Sequence, residues 1–215
     1  MLLFSEEYEK RKNDTIYFGN KGLNPKLLPE IVKKAHQNNL RVSTHVETAY
    51  DFHIAIEAGV DEIAHLPGFD SKELIDVKDA ALAKEKGIVV VPTASLITKR
   101  KDNKDYDALL SNLITNLETL KSQGVTIAMG SDMYNDNSVG EFKLLHSLNI
   151  FSNLELLKMW CENAAITTFP NRKIGFLKES YEASFLILNS NPLEHIEEIN
   201  NSIVLKVKQG TIIRP

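Results

Sequence analysis

Four short apolar runs alternate with helix-patterned segments in this chain, and three of the four are entered through a glycine: Gly59, Gly87 and Gly124. Glycine is the usual left-handed stop of a helix, so each marks where a helix hands over to a strand. The first helix starts at Asn24-Pro25 or at Pro29, carries Leu28, Ile31, Val32 and Ala35 at helical spacing, and ends at Asn38-Asn39. Residues 40–46 then read as a strand. Thr48 caps the next helix, which buries Phe52, Ala55 and Ile56 and stops at Gly59. Residues 60–66 form a second strand, broken by Pro67-Gly68. A third helix runs from Ser71 to Lys86. Ile88-Val89-Val90-Val91 has no polar alternation, which predicts a strand buried on both faces. Leu109, Leu110, Leu113, Ile114, Leu117 and Leu120 give an amphipathic helix, residues 125–129 a fourth strand, and Asn153 the cap of a last helix reaching about Ala165.

Strands that alternate with helices imply an α/β fold with a parallel sheet. Four units suit either an open doubly wound sheet or half of an eight-stranded barrel, since right-handed crossovers serve both. Beyond Phe169 the pattern changes. Residues 181–188, 203–208 and 211–214 read as strands, with Gln209-Gly210 as a turn and Asn191-Pro192 in a loop. The expected division is an α/β part over 1–169 and a small C-terminal β element over 170–215.

Chemistry concentrates where the strands stop. His45, His65 and Asp132 each end an apolar run, at the edge where the carboxyl ends of parallel strands open onto one face. Neutral imidazole and carboxylate are ligands for zinc-like ions, and a metal lowers the pKa of its bound water to about 7. Asp132 is the candidate catalytic residue, a ligand that also accepts the water's proton. Glu47, two residues after His45, points to the same side of the strand. Thr93, Ser95, Tyr134 and Asn135 share the rim and are expected to touch substrate or to cap the following segments. His36, His53, His146 and His195 are assigned to packing or surface.

A net charge of −4 and the lack of a Lys/Arg stripe argue against a nucleic-acid partner. Lys99-Arg100-Lys101, followed by Asp102 and Asp105, reads as a solvated loop. No apolar stretch reaches the ~18 residues of a membrane span, and the first residues turn acidic before a signal-peptide core develops. The expectation is a cytoplasmic protein without a membrane partner. The single cysteine, Cys161, excludes an internal disulfide and reads as a small buried hydrophobe in a helix.

His45-Val46-Glu47-Thr48, Ala58-Gly59-Val60-Asp61-Glu62-Ile63-Ala64-His65 and Gly130-Ser131-Asp132 resemble the strand-5, strand-6 and strand-8 motifs of the amidohydrolase superfamily, in its imidazolonepropionase-like and prolidase-like branch. The tail is similar as well, through residues 172–179 and 183–188, although Ser184 stands where many relatives have an acid. The resemblance implies a (β/α)8 TIM-type barrel, present here over about strands 5–8, with part of a small β-sandwich behind it. It implies a hydrolase of C–N bonds, amide or cyclic amide, in small non-peptide or dipeptide-like substrates, using one or two divalent metals, zinc first among them. His45 and His65 match the metal-binding histidines, and Asp132 the carboxylate that binds metal and handles the proton.

The family's first-strand His-x-His pair has no counterpart in this sequence, and the start at Met1-Leu2-Leu3-Phe4 falls just after the expected fourth strand with its bridging lysine. The chain therefore reads as a C-terminal half. As alternatives to a self-sufficient enzyme, it is a catalytically inactive remnant, or a half-barrel completed by a second copy or by a separate N-terminal half.

Overall fold

Local capping chemistry sets the element boundaries in this computed structural model, which describes residues 8, 12–15, 22–68, 73–134 and 137–213. The Asn24 side chain accepts a hydrogen bond from Lys26 N, and Pro25 opens a 3-10 turn, Pro25–Leu27. Helix α1, Leu28–Gln37, follows, with Pro29 in the first turn, where a missing N–H costs nothing. After strand β1, Ser43–His45, the Thr48 hydroxyl accepts from Asp51 N and starts α2, Ala49–Ala58. Gly59 ends α2 at φ 77°, a left-handed conformation that most other residues resist. Strand β2 is Glu62–Ala64.

The next helix, α3, spans Val77–Glu85 with Asp76 as its cap. The expected start at Ser71 lies outside the described residues. Just before α3, Ile75 is buried and its N–H is held by Asn116 Oδ1, so the chain arrives tied down and extended rather than helical. Strand β3, Val89–Val91, leads into a 3-10 segment, Ala94–Arg100, and then α4, Tyr106–Ser122. Strand β4 is Thr126–Ile127. Helix α5, Val139–Ser147, was not foreseen. Helix α6, Asn153–Leu157, is capped by Ser152 rather than Asn153: Ser152 and Glu155 form a reciprocal capping box. A π turn, Lys158–Asn163, and α7, Ala164–Thr168, complete it. That run faces the core with Leu156 and Met159, three residues apart, which leaves Cys161 exposed rather than buried.

The four strands pair in parallel and in chain order, β1-β2-β3-β4. A doubly wound sheet requires a reversal of strand order, and among the described residues none occurs. Right-handed crossovers in one direction put the connecting helices on a single face. Burial agrees: Thr44, Ile63, Val90 and Ile127 point into the helical layer at 2% exposure or less. Ser43, His45, Glu62, Ala64, Val91 and Thr126 point the other way and are only partly buried. Val89 and Val90 are buried as expected, but Val91 at the rim is not. The strands are also shorter than their apolar runs. After β2 and β3 the backbone soon turns left-handed, at His65 (φ 75°) and Thr93 (φ 48°), and Asp132 (φ 50°) does so five residues beyond the end of β4.

At the amino end of the sheet, Arg41 donates to the Thr167 carbonyl, Thr167 donates to Glu62, and Ser43 donates to Glu62 at 2.8 Å. This network ties α7 to the first two strands, far from the rim that carries the candidate ligands. A second sheet, antiparallel, holds β5 (Phe185–Leu188), β6 (Ile203–Lys208) and β7 (Thr211–Ile213). Gln209 and Gly210, both at positive φ, make the tight turn between the last two. Ile196, in the loop before β6, is fully buried in the main core. No described helix is long and apolar enough to cross a membrane.

Candidate functional site at the carboxyl rim of the parallel sheet

β1 and β2 run side by side, with His45 paired to Ala64 in register, so His45 and His65 leave the sheet as neighbours. Their rings meet edge to face with centroids 4.4 Å apart. Asp132, which follows β4, brings Oδ2 to 3.9 Å from His65 Nε2. Gly130 makes that approach possible. A Cβ there would lie 2.7 Å from Val91 Cγ1, so the close β3–β4 contact needs a residue without one. Gly130→Ala is expected to cost about 1–3 kcal/mol by overpacking, read as a lower urea midpoint at unchanged slope.

His65 is the best-defined side chain of the group. Its imidazole is 10% exposed, and its Nδ1 is 2.6 Å from Thr93 Oγ1. The Thr93 hydroxyl stands 2.8 Å from the Pro92 carbonyl, to which it is placed to donate; that assignment makes Nδ1–H the donor to Oγ1 and leaves Nε2 its lone pair. Burial, then the neighbouring His45, lower the His65 pKa from 6.5 to about 4, against a smaller opposing pull from Asp132. At neutral pH the ring is therefore an uncharged ligand. It faces a carboxylate oxygen across a gap too long for a hydrogen bond. Two acceptors so placed suit one cation between them, since zinc sits about 2.0–2.2 Å from nitrogen and oxygen ligands.

His45 completes less of the arrangement. Its Nε2 lies 3.2 Å from Glu47 Oε1, on the side where strand alternation puts Glu47. Among the described residues no three His, Cys, Asp or Glu side chains close into a ready-made metal position. The donor chemistry fits a divalent ion, and His65 with Asp132 fit in distance, while the third ligand is not in place.

The cleft in front of these groups has a volume of about 220 Å³, and Leu96, Lys99 and Arg100 form its far wall. The Lys99-Arg100 pair thus belongs to the site rather than to a remote solvated loop, because the 3-10 segment folds it back over the rim. Thr93 is buried and supports His65, yet it also lines the recess that His45, His65 and Asp132 share, whereas Ser95 is buried away from both, its N–H taken by a carboxylate of α5. Tyr134 projects wholly into solvent, and Asn135 lies outside the described residues. His36 and His53 pair with Asp61 and Asp79 at the surface, His146 stacks on Phe142, and His195 is exposed, all apart from the cleft.

That α5 carboxylate is Glu141, which sequence reasoning missed. It is fully buried and accepts from Ala94 N at 2.8 Å and Ser95 N at 2.7 Å. Burial raises its pKa against those hydrogen bonds. The one signal in the sequence is its spacing: Leu145, one helical turn on, is fully buried, so Glu141 stands on the apolar face.

A sequential parallel sheet carries two imidazoles and an aspartate at its carboxyl rim, and the chain belongs to the amidohydrolase family, whose sequence model matches residues 9–213. Ochratoxinase of Aspergillus niger is 29% identical over 185 residues, which cover 80% of this chain and 37% of that protein. Its crystal structure superposes with a TM-score of 0.77 at 28% identity, over 89% of this chain and 45% of that one. A prolidase complexed with N-methylphosphonate-L-proline (TM-score 0.71, 23% identity, 92% and 51% coverage) shares the fold. So does a Xaa-Pro dipeptidase with bound methionine (0.71, 19%, 91% and 50%). The chain thus spans about half or less of the length of these relatives.

Proposed function

We propose that this chain is the C-terminal half of a metal-dependent amidohydrolase that cleaves C–N bonds in small amide or cyclic amide substrates. Its sheet supplies the last four strands of a (β/α)8 barrel. Sequential strand order, helices on one face and a half-exposed opposite face support that reading, because a closed barrel would turn the latter face inward. His45, His65 and Asp132 would hold the ion, zinc first among the candidates. A bound divalent ion supplies an ionised water at neutral pH. The protein's own contribution is to keep His65 uncharged, to offer the Asp132 carboxylate for the water's proton, and to close the cleft with Leu96, Lys99 and Arg100.

The observation that carries this proposal is the pair of acceptors, His65 Nε2 and Asp132 Oδ2, aimed at one gap beside His45. Zinc titration by calorimetry tests it. One weak site is expected, with affinity at least about tenfold lower in Asp132→Asn and unchanged in His53→Gln. Absence of binding, or equal binding by Asp132→Asn, overturns it. The missing third ligand favours a half that needs its complement, a small-molecule hydrolase only when the barrel is closed.

A further inference from the structure

The 3-10 segment Ala94–Arg100 begins without the device that normally begins a helix. Its N-cap is Thr93, a residue type well suited to accept from the free N–H groups of the first turn. Thr93 makes no such bond. Its hydroxyl is engaged elsewhere, 2.8 Å from Pro92 O and 2.6 Å from His65 Nδ1. The two N–H groups that open the segment, Ala94 and Ser95, go instead to the two carboxylate oxygens of Glu141, one each.

Glu141 has no solvent exposure, and no cation is paired with it among the described contacts. A carboxylate so placed is costly unless its hydrogen bonds are needed there. Thr93 is the second oddity. A β-branched residue at φ 48° is strained by about 1–3 kcal/mol and persists only where its surroundings impose the conformation. Both oddities have one explanation. Glu141 takes over the capping task, clamps the turn from below, and releases the Thr93 hydroxyl for His65.

We propose that Glu141 is a positioning residue: by capping the Ala94–Ser95 turn it frees and places the Thr93 hydroxyl, which fixes the His65 ring with Nε2 unprotonated and turned toward the cleft. The proposal deepens the hydrolase reading, on which its purpose rests. Its geometry is testable without any metal, so the two can fail separately.

The ring-nitrogen shifts of His65, measured by proton–nitrogen NMR at neutral pH with chelator present, report the tautomer directly. The wild-type chain is expected to show protonated Nδ1 and bare Nε2. Thr93→Val and Glu141→Gln are expected to move His65 toward the Nε2–H form, Thr93→Ser to restore the wild-type pattern, and His53 to stay unchanged in all of them. The amide protons of Ala94 and Ser95 in the wild-type chain are expected to exchange slowly, although they lie outside any strand ladder or α-helix. That measurement holds even if Glu141→Gln does not fold. A wild-type His65 protonated on Nε2, unprotected Ala94 and Ser95 amides, or a folded Glu141→Gln with the wild-type tautomer each overturns the proposal.

Discussion

Between pH 7.5 and 4, with chelator present, the wild-type chain is expected to lose about 3 kcal/mol more folding stability than His65→Gln. The His65 pKa falls from 6.5 in the unfolded chain to about 4 in the folded one, chiefly through burial and secondly through the nearby His45. Above pH 6.5 neither state carries the proton and the residue is neutral in the balance. As pH drops below 6.5 the unfolded chain takes up a proton that the folded chain refuses. Stability is therefore lost progressively until the folded ring also titrates near pH 4. At about 1.4 kcal/mol per pH unit, that window amounts to about 3 kcal/mol. Glu141 acts in the opposite sense: its raised pKa makes the folded state gain as pH falls. It is present in both proteins, so it cancels in the comparison. Urea midpoints at four pH values across the window measure the difference. Parallel curves for the two proteins would show that His65 is not held uncharged.

The parts of this molecule legible in the sequence are those written in local chemistry. Thr48 and Gly59 bracket α2 because a hydroxyl cap and a left-handed glycine act within a few residues of themselves. The rim positions of His45, His65 and Asp132 were legible for the same reason, since an apolar run followed by a ligand-type residue is a contiguous signal. The choice between a doubly wound sheet and a barrel-like one was not, because strand order is a long-range property and both share the same βα rhythm. The strands were overestimated because the apolar runs continue past the ladder, which after β2 and β3 gives way to left-handed backbone at His65 and Thr93. Thr93 stands at the rim as its position in the sequence implies, but its contact with His65, 28 residues away, is a long-range one that no local signal carries. Glu141 was invisible in practice: α5 has no capping hydrogen bond at Ser138, and a glutamate on a short helix looks like any solvated charge.

If the proposed half-barrel reading holds, supplying four complementary strands is expected to have the largest functional effect. Among the described residues β1 and β4 are the outer strands of the four-stranded sheet, and the π turn lies against β4, where Asn163 donates to the Ile127 carbonyl and Met129 N to the Met159 carbonyl. Among the described residues the face that carries Ser43, His45, Ala64 and Val91 stays partly exposed, and two imidazoles and one carboxylate stop short of a complete metal position. A further four strands would pair both edges, bury that face and bring additional imidazoles against His65 and Asp132. The N-terminal half of A. niger ochratoxinase, fused ahead of Tyr8, is the probe. Loss of a single supporting contact around a metal costs about 10–100-fold in affinity. Gaining whole ligands should therefore raise zinc affinity by at least about a hundredfold, with amide hydrolysis appearing only in the fusion and vanishing on Asp132→Asn. Ultracentrifugation and zinc calorimetry on the unfused chain supply the counter-test. A verified monomer that binds zinc as tightly as the fusion, or turns over an amide by itself, would show that four strands suffice.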